Sequence, residues 1–269
     1  MPPIQNTLFE GRSFGMHRSR DTKPDNSQFI LHNHDDLYEL VLFLNGDAKF
    51  HAEGSVYNMR PYDLALTRPG ELHRMQCSPK KPYERTVLYI AKEHLESEDM
   101  LIYADVFENR ALGVRNIIDA DIVKESLLDS FNRIYKYSQD RQYAVAEAVL
   151  VEFLYLLNNA SVRSVSPSTR DKRVVMVIQY INNHLSDQLR LDELAEMVYI
   201  DKYHLCRIFK KCTGYTLNSY INYKRLLLVR ELHAQGQSLL EASVNAGFNN
   251  YSHFYRMYVK QNGTSPKNM

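Results

Sequence analysis

Four residues in the first third of the 269-residue chain have side chains that could converge on one cation or one hydroxyl-rich ligand: His32, His34, Glu39 and His73. In an extended segment alternate residues point the same way, so His32-Asn33-His34 can send both imidazoles into one cavity. Glu39 follows Asp35-Asp36, and His73 ends the stretch Arg68-Pro69-Gly70-Glu71-Leu72-His73 beyond another predicted strand. Three imidazoles and a carboxylate are a plausible set for Zn, Mn or Fe. The same four groups, with Arg18, Tyr38 and Arg68 as neighbours, also suit hydrogen bonding to a small effector, and they suit a purely structural barrel mouth. No separate acid, base or nucleophile set accompanies them, so no residue is assigned a catalytic role.

A second set lies in the last hundred residues. If Leu205, Ile208 and Phe209 are buried on one helix, Lys202, Tyr203, Cys206, Arg207 and Lys210 are left on its other face. If Phe254 and Tyr258 are buried on a later helix, Tyr251, Ser252, Tyr255 and Arg256 face outward. An Arg can fork onto a guanine edge, hydroxyls reach bases or phosphates, and the weakly polar Cys206 thiol suits a thymine methyl. This is the chemistry of reading double-stranded DNA.

Charge supports the division. The net charge is +1, yet residues 173–269 carry 12 Lys and Arg against 7 Asp and Glu, a balance of +5, and residues 1–172 carry −4. A polyanion is met by clustered Lys and Arg, so the basic part is the one suited to nucleic acid. With 44% hydrophobic and 24% charged residues the chain has a globular composition, which excludes collagen-like and disordered classes. Three cysteines, Cys77, Cys206 and Cys212, have neither disulfide-framework nor metal-site spacing, and no charged leader precedes an apolar run. The most apolar stretch, residues 144–157, is interrupted by Glu147 and Glu152 and is too short to span a bilayer. The expectation is a cytoplasmic protein with no membrane partner.

The elements that position these groups follow from periodicity. Residues 29–91 read as short strands separated by turn signals at Asn45-Gly46-Asp47, Glu53-Gly54, Arg60-Pro61 and Arg68-Pro69-Gly70, the pattern of a small sandwich or barrel. After Glu93 apolar residues recur every three or four positions, in 122–135 and again in 145–157, predicting two amphipathic helices. Residues 161–172 are Ser-rich, contain a Pro and lack periodicity, so they read as a linker. Beyond them the pattern is helical. A helix over 174–184 and a short one over 191–198 precede a third, capped by Asp201 and closed by Gly214. A long helix over 217–234 has Tyr220, Leu227, Leu228 and Leu232 inward, and a short one follows over 239–246. Asn250 then caps a last helix over 251–259. The order short helix, tight turn, basic helix occurs twice, which defines two helix-turn-helix motifs.

The last hundred residues resemble the DNA-binding domain of the AraC family. The matching stretches are Leu191-Asp-Glu-Leu-Ala195, Tyr203-His-Leu-Cys-Arg-Ile-Phe-Lys-Lys211 with Gly214, Tyr220 and Arg225, then Gly247-Phe248, Ser252, Phe254, Arg256 and Gly263-Thr-Ser-Pro266. The chain departs from the pattern at Ala242-Ser243 and Val229, which predicts looser packing of the second supporting helix. The His32, His34, Glu39, His73 pattern resembles the cupin barrel over about residues 29–90.

Together these resemblances imply two domains: an N-terminal all-β cupin-like barrel followed by dimerisation helices, and a C-terminal all-α domain with two helix-turn-helix motifs. The expected boundaries are 1–160 for effector binding and dimerisation, 161–172 for the linker and 173–269 for DNA binding. They further imply a transcription regulator controlled by a small-molecule effector, often a sugar. It would be a homodimer through helices in 121–158, with promoter DNA and RNA polymerase as partners. No cofactor is required outright, a divalent metal in the barrel being the one candidate. The competing readings are a metal-dependent cupin enzyme and a metal-sensing regulator.

Overall fold

A computed structural model of the chain describes residues 12–24, 32–160 and 165–266, without the side chains of residues 169, 170 and 262. The start of the expected strand region at Phe29 and linker residues 161–164 lie outside the described residues. The chain divides into two compact units, residues 1–169 and 170–269.

The first unit is built on two antiparallel sheets. One has the order β1-β7-β2-β5-β8, formed by Phe14–Asp21 (β1), Leu37–Asn45 (β2), Leu64–Thr67 (β5), Tyr83–Ala91 (β7) and Ile117–Ile118 (β8). The other comprises Ala48–Ala52 (β3), Ser55–Asn58 (β4) and His73–Cys77 (β6) in the order β6-β3-β4, with the two-residue Thr169–Arg170 (β9) at its edge. The strands thus begin at β1, well before the expected start. Its sequence FGMHRSRD loses apolar alternation halfway because its last residues are partly exposed.

The strand period of two decides which side chains meet. On β2, Leu37, Val41 and Phe43 enter the space between the sheets, where Phe50, Tyr57, Met75, Cys77, Tyr83, Val87 and Tyr89 join them. Tyr38, Leu40 and Leu42 point the opposite way, into a second core under helices. β2 is therefore buried on both faces. The covering layer includes Lys92–Leu95 (α1), Asp105–Glu108 (α2), Leu128–Gln139 (α3) and Tyr143–Ala160 (α4). The expected helix over 122–135 is interrupted by a π-helical turn, Val123–Leu127, immediately before α3. Phe131 on α3 and Phe153 on α4 pack edge to face at 5.5 Å, and Arg133 bonds Glu152 across the pair at 2.7 Å.

The second unit is helical throughout: Lys172–Asn183 (α5), Leu191–Met197 (α6), Lys202–Thr213 (α7), Leu217–Ala234 (α8), Leu239–Asn245 (α9) and Tyr251–Asn262 (α10). Its helix ends follow the expected cap chemistry. The Asp201 carboxylate accepts from the Tyr203 and His204 amides, Asn250 accepts from His253 N, and Gly214 takes the left-handed cap at φ 82°. Ser238 and Glu241 add a capping box at the start of α9.

Two packing expectations are corrected. On α8 Leu226 and Val229 are buried along with the expected Tyr220, whereas Leu227, Leu228 and Leu232 are only half-buried, Leu228 and Leu232 packing against the edge of the core. Ala242 and Ser243 are fully buried, not loosely packed, because the Ser243 hydroxyl is satisfied by the Leu240 carbonyl at 2.8 Å.

Candidate functional site

The four N-terminal candidates do converge. One donor atom from each of His32, His34, Glu39 and His73 lies within 4.8 Å of all the others; His34, Glu39 and His73 are buried, and His32 is exposed. The route to this arrangement differs from the expected strand. Residues 33–36 are not a strand; His32 forms a single antiparallel bridge with His73, its amide bonding the His73 carbonyl at 3.0 Å and its carbonyl accepting from His73 N at 2.9 Å. The following turn is pinned by Gly70 N on the His34 carbonyl and Lys92 N on the Asp36 carbonyl, both 2.8 Å. Glu39 enters from β2 and His73 from the start of β6.

Orientation within the cluster is specific. His73 Nδ1 lies 2.8 Å from the Glu71 carbonyl, which can only accept, so Nδ1 carries the proton and Nε2 is turned to Glu39 Oε2 at 2.7 Å. His34 Nε2 is 3.7 Å from the same oxygen. Burial pushes the Glu39 carboxyl up, but His34 and His73 outweigh it and hold it well below the usual range. Burial likewise lowers His73, and Glu39 reverses this to raise it.

Three residues of this site were not among the sequence candidates. Tyr89 sits opposite Glu39 in the β2–β7 register and packs against His34 edge-on at 5.4 Å; burial raises its phenol, and Glu39 adds to the rise. His17, from β1, stacks on Tyr89 at 5.9 Å, and burial followed by Arg85 lowers it, so it is held neutral. Arg85 is four residues from Tyr89 on β7, and Tyr83 together with Glu39 keeps it charged against burial.

Three expected neighbours are not part of the cluster. Tyr38 adjoins Glu39 on a strand, so it must face the other way; its hydroxyl donates to Glu108 at 2.9 Å and its ring packs on Phe107. Arg18 is on the Phe14 and Met16 side of β1 and forms an exposed ion pair with Glu84 at 2.7 Å. Arg68 is also committed elsewhere, to the Glu108 carbonyl at 2.8 Å.

Just beyond the cluster a buried ion pair anchors the His73 strand. Glu71 accepts from Arg110 Nη1 at 2.8 Å, Gly113 N at 3.0 Å and Asn116 Nδ2 at 3.1 Å, and its second oxygen pairs with Arg110 Nη2. Burial would raise this carboxyl; the Arg110 guanidinium and the hydrogen bonds bring it down to about 2.

In the second unit Leu205 and Phe209 are buried, and Tyr203, Arg207 and Lys210 are exposed with half-buried Cys206 on the same face of α7. Lys202 is half-buried and is tied to Asp192 at 3.1 Å. On α10, Ser252, Tyr255 and Arg256 are exposed. Tyr251 is corrected: it is half-buried, packing on Phe254 at 5.5 Å, and belongs as much to the core as to the outer face. Tyr199, in the turn between α6 and α7, was not a candidate; it is 95% exposed at φ 57°, a left-handed conformation unusual for an aromatic residue.

Each helix-turn-helix is held by specific bonds. Arg225 on α8 donates to the Leu185 carbonyl at 2.9 Å and the Asp187 carbonyl at 2.7 Å, while Ser186 donates to the Asn245 carbonyl at 2.6 Å. Gly247 follows α9 at φ 90°, and a Cβ there would lie 2.2 Å from the Leu185 oxygen.

A polar-centred barrel joined in one chain to a doubled helix-turn-helix is the build of a ligand-binding transcription regulator. Residues 16–105 match the AraC-like ligand binding domain, and residues 194–269 match a helix-turn-helix domain. The chain thus carries an AraC-like ligand-binding domain and a helix-turn-helix domain, and the proteins it resembles are AraC-family transcription regulators. It is 23% identical over 235 residues to the arabinose operon regulatory protein of Escherichia coli K12, covering 85% of this chain and 78% of that protein. Against the regulatory protein PocR of Salmonella typhimurium LT2 it is 26% identical over 172 residues, 58% of this chain and 57% of that one. Among solved structures, ToxT of Vibrio cholerae O395, bound to (E)-4-(8-methylnaphthalen-1-yl)but-3-enoic acid, is similar over 96% of this chain and 98% of that chain, at 13% identity and a TM-score of 0.39. No helix among the described residues is long and apolar enough to cross a membrane.

Proposed function

We propose that this chain is a cytoplasmic, non-enzymatic regulator whose grip on promoter DNA is set by a sugar or related carbohydrate held in the barrel. The division of labour is 1–160 for effector binding and dimerisation, 161–172 for the linker and 173–269 for DNA. The observation that carries the reading is the buried His34, Glu39, His73 cluster in the same chain as two exposed Arg-bearing helices. Hydroxyl-rich ligands suit groups that both donate and accept, and the arabinose regulator among the relatives supports a carbohydrate. Arg207 with Tyr203, Cys206, Lys210 and Lys202 forms one reading face, and Arg256 with Ser252, Tyr255 and Tyr251 forms the other. Homodimerisation is assigned to α3 and α4, where Val145 and Tyr155 expose 45% and 58% of their surface on a helix that is apolar on both sides. RNA polymerase is the partner on which a promoter-bound dimer would act.

The test is footprinting of the full chain with and without a carbohydrate panel. Protection of two successive major-groove segments about one helical turn apart is expected, with at least tenfold weaker specific binding in the double variant Arg207→Ala, Arg256→Ala. A footprint unchanged in that variant removes these helices from DNA recognition. Unchanged DNA affinity across the whole panel removes the carbohydrate.

A further inference from the structure

We infer that Tyr199, in the turn of the first helix-turn-helix, is itself a DNA contact: its phenol hydroxyl donates to a phosphate oxygen at the edge of the groove that α7 enters. This rests on the reading of α7 as a recognition helix, and it adds a residue that carries affinity without base preference.

Helix α6 closes in a specific way. Tyr199 N bonds the Glu196 carbonyl at 3.0 Å, and Ile200 N bonds the Ala195 carbonyl at 3.2 Å. That pair of bonds is a Schellman closure, in which the residue after the cap turns left-handed and is usually glycine. The second motif closes α9 by the same pair, Gly247 N on the Val244 carbonyl at 2.9 Å and Phe248 N on the Ser243 carbonyl at 3.0 Å. Tyr199 and Gly247 therefore hold one position in two copies of one turn, at φ 57° and 90°. Among the described residues of this unit the remaining left-handed positions are Gly214, Gly236 and Gly263, so Tyr199 is the exception. A side chain is strained at that φ. Packing does not offset the strain, because Tyr199 is 95% exposed while Val198 before it is buried and Ile200 after it is half-buried. The turn presents an aromatic hydroxyl outward where glycine would be the relaxed choice.

What the side chain faces follows from docking geometry. In a helix-turn-helix the first helix crosses the sugar-phosphate backbone and the second presents its N-terminal end to base edges. Residues 198–201 join the two, so the outward residue of this turn lies at the lip of the major groove, where phosphates are the nearest groups. A neutral phenol donates one hydrogen bond to a phosphate oxygen. The second motif has no such contact, since a side chain at Gly247 would meet the Leu185 oxygen. The two motifs thus grip the backbone unequally.

The test compares full-length wild type, Tyr199→Gly, Tyr199→Phe and the double variant Arg207→Ala, Arg256→Ala on a promoter duplex that wild type protects. Affinity is measured on that duplex, on its single-base variants and across a salt series, with a thermal melt of each protein. Tyr199→Gly should bind about fivefold more weakly and melt no lower than wild type, because glycine relaxes the turn. Tyr199→Phe, which keeps the ring, should lose about as much. Both losses should be equal on every base variant, with the salt slope of wild type, because a neutral group displaces no counterion. Wild-type affinity in either Tyr199 variant, a loss confined to particular base pairs, or a Tyr199→Gly melting midpoint several degrees below wild type overturns the inference. If the double Arg variant binds and discriminates as wild type does, the reading of these helices falls; if it is defective and the Tyr199 variants are not, the inference alone falls.

Discussion

Replacing Arg110 with Met should cost the barrel unit about 3 kcal/mol at neutral pH. Two routes give that size. A carboxyl that titrates near 2 in the folded chain and near 4.5 when unfolded contributes about 3 kcal/mol once both states are ionised. Removing one partner of a fully buried ion pair leaves the other charge uncompensated, a loss of about 3–5 kcal/mol. The sign in pH follows from the depressed value: the contribution is complete above the unfolded value and disappears as pH falls from about 4.5 towards 2. In Arg110→Met burial is opposed only by the Gly113 and Asn116 hydrogen bonds, so the Glu71 carboxyl takes up a proton more readily and the gap from wild type narrows near pH 4. The double variant Glu71→Gln, Arg110→Met removes both charges while Gln can still accept from Gly113 N, so it should be more stable than Arg110→Met alone. Guanidinium unfolding of the full chain at pH 7 and pH 4, followed by the transition of the β unit, measures all of this. A cost below 1 kcal/mol for Arg110→Met, or a double variant less stable than the single, would refute the assignment of Glu71 as a charged, Arg110-dependent anchor.

Gly247→Ala should destabilise the helical unit by about 2 kcal/mol or more in thermal melts, because the new Cβ meets the Leu185 oxygen and φ is positive. DNA affinity should fall with it. Asn250→Ala removes the cap on α10 and should cost about 1 kcal/mol in the same melts, with Asn250→Asp close to neutral.

The helical unit was legible because its signals are local. Asp201, Gly214 and Asn250 each fix a helix end through bonds to residues two to four positions away. The barrel was legible only in part. Which residues surround Glu39 depends on the β1-β7-β2 register, and that long-range pairing brings His17, Arg85 and Tyr89 to the cluster. β1 escaped notice because its apolar residues stop at Met16. Placing Tyr38 beside Glu39 in one pocket was an error the strand period could have prevented, since neighbours on a strand face opposite sides. On α8 three consecutive leucines made the inward stripe ambiguous by a residue, and Val229 settled it by packing against Phe248 and Phe254.

The lock formed by Arg225, Leu185, Asp187 and Gly247 has a consequence for the DNA as well as the protein. The 18-residue α8, a rod of about 27 Å, joins the two helix-turn-helix motifs, and this lock fastens the second motif to the segment that leads into the first. The two reading helices are therefore a rigid caliper of fixed opening. An operator must supply its two recognised segments at one rotational phase. One base pair inserted between them turns one segment by roughly a tenth of a revolution, and the mismatch falls on the duplex, as bending or twisting. Sequences between the contacted segments, untouched by any side chain, would then be selected for how readily they deform.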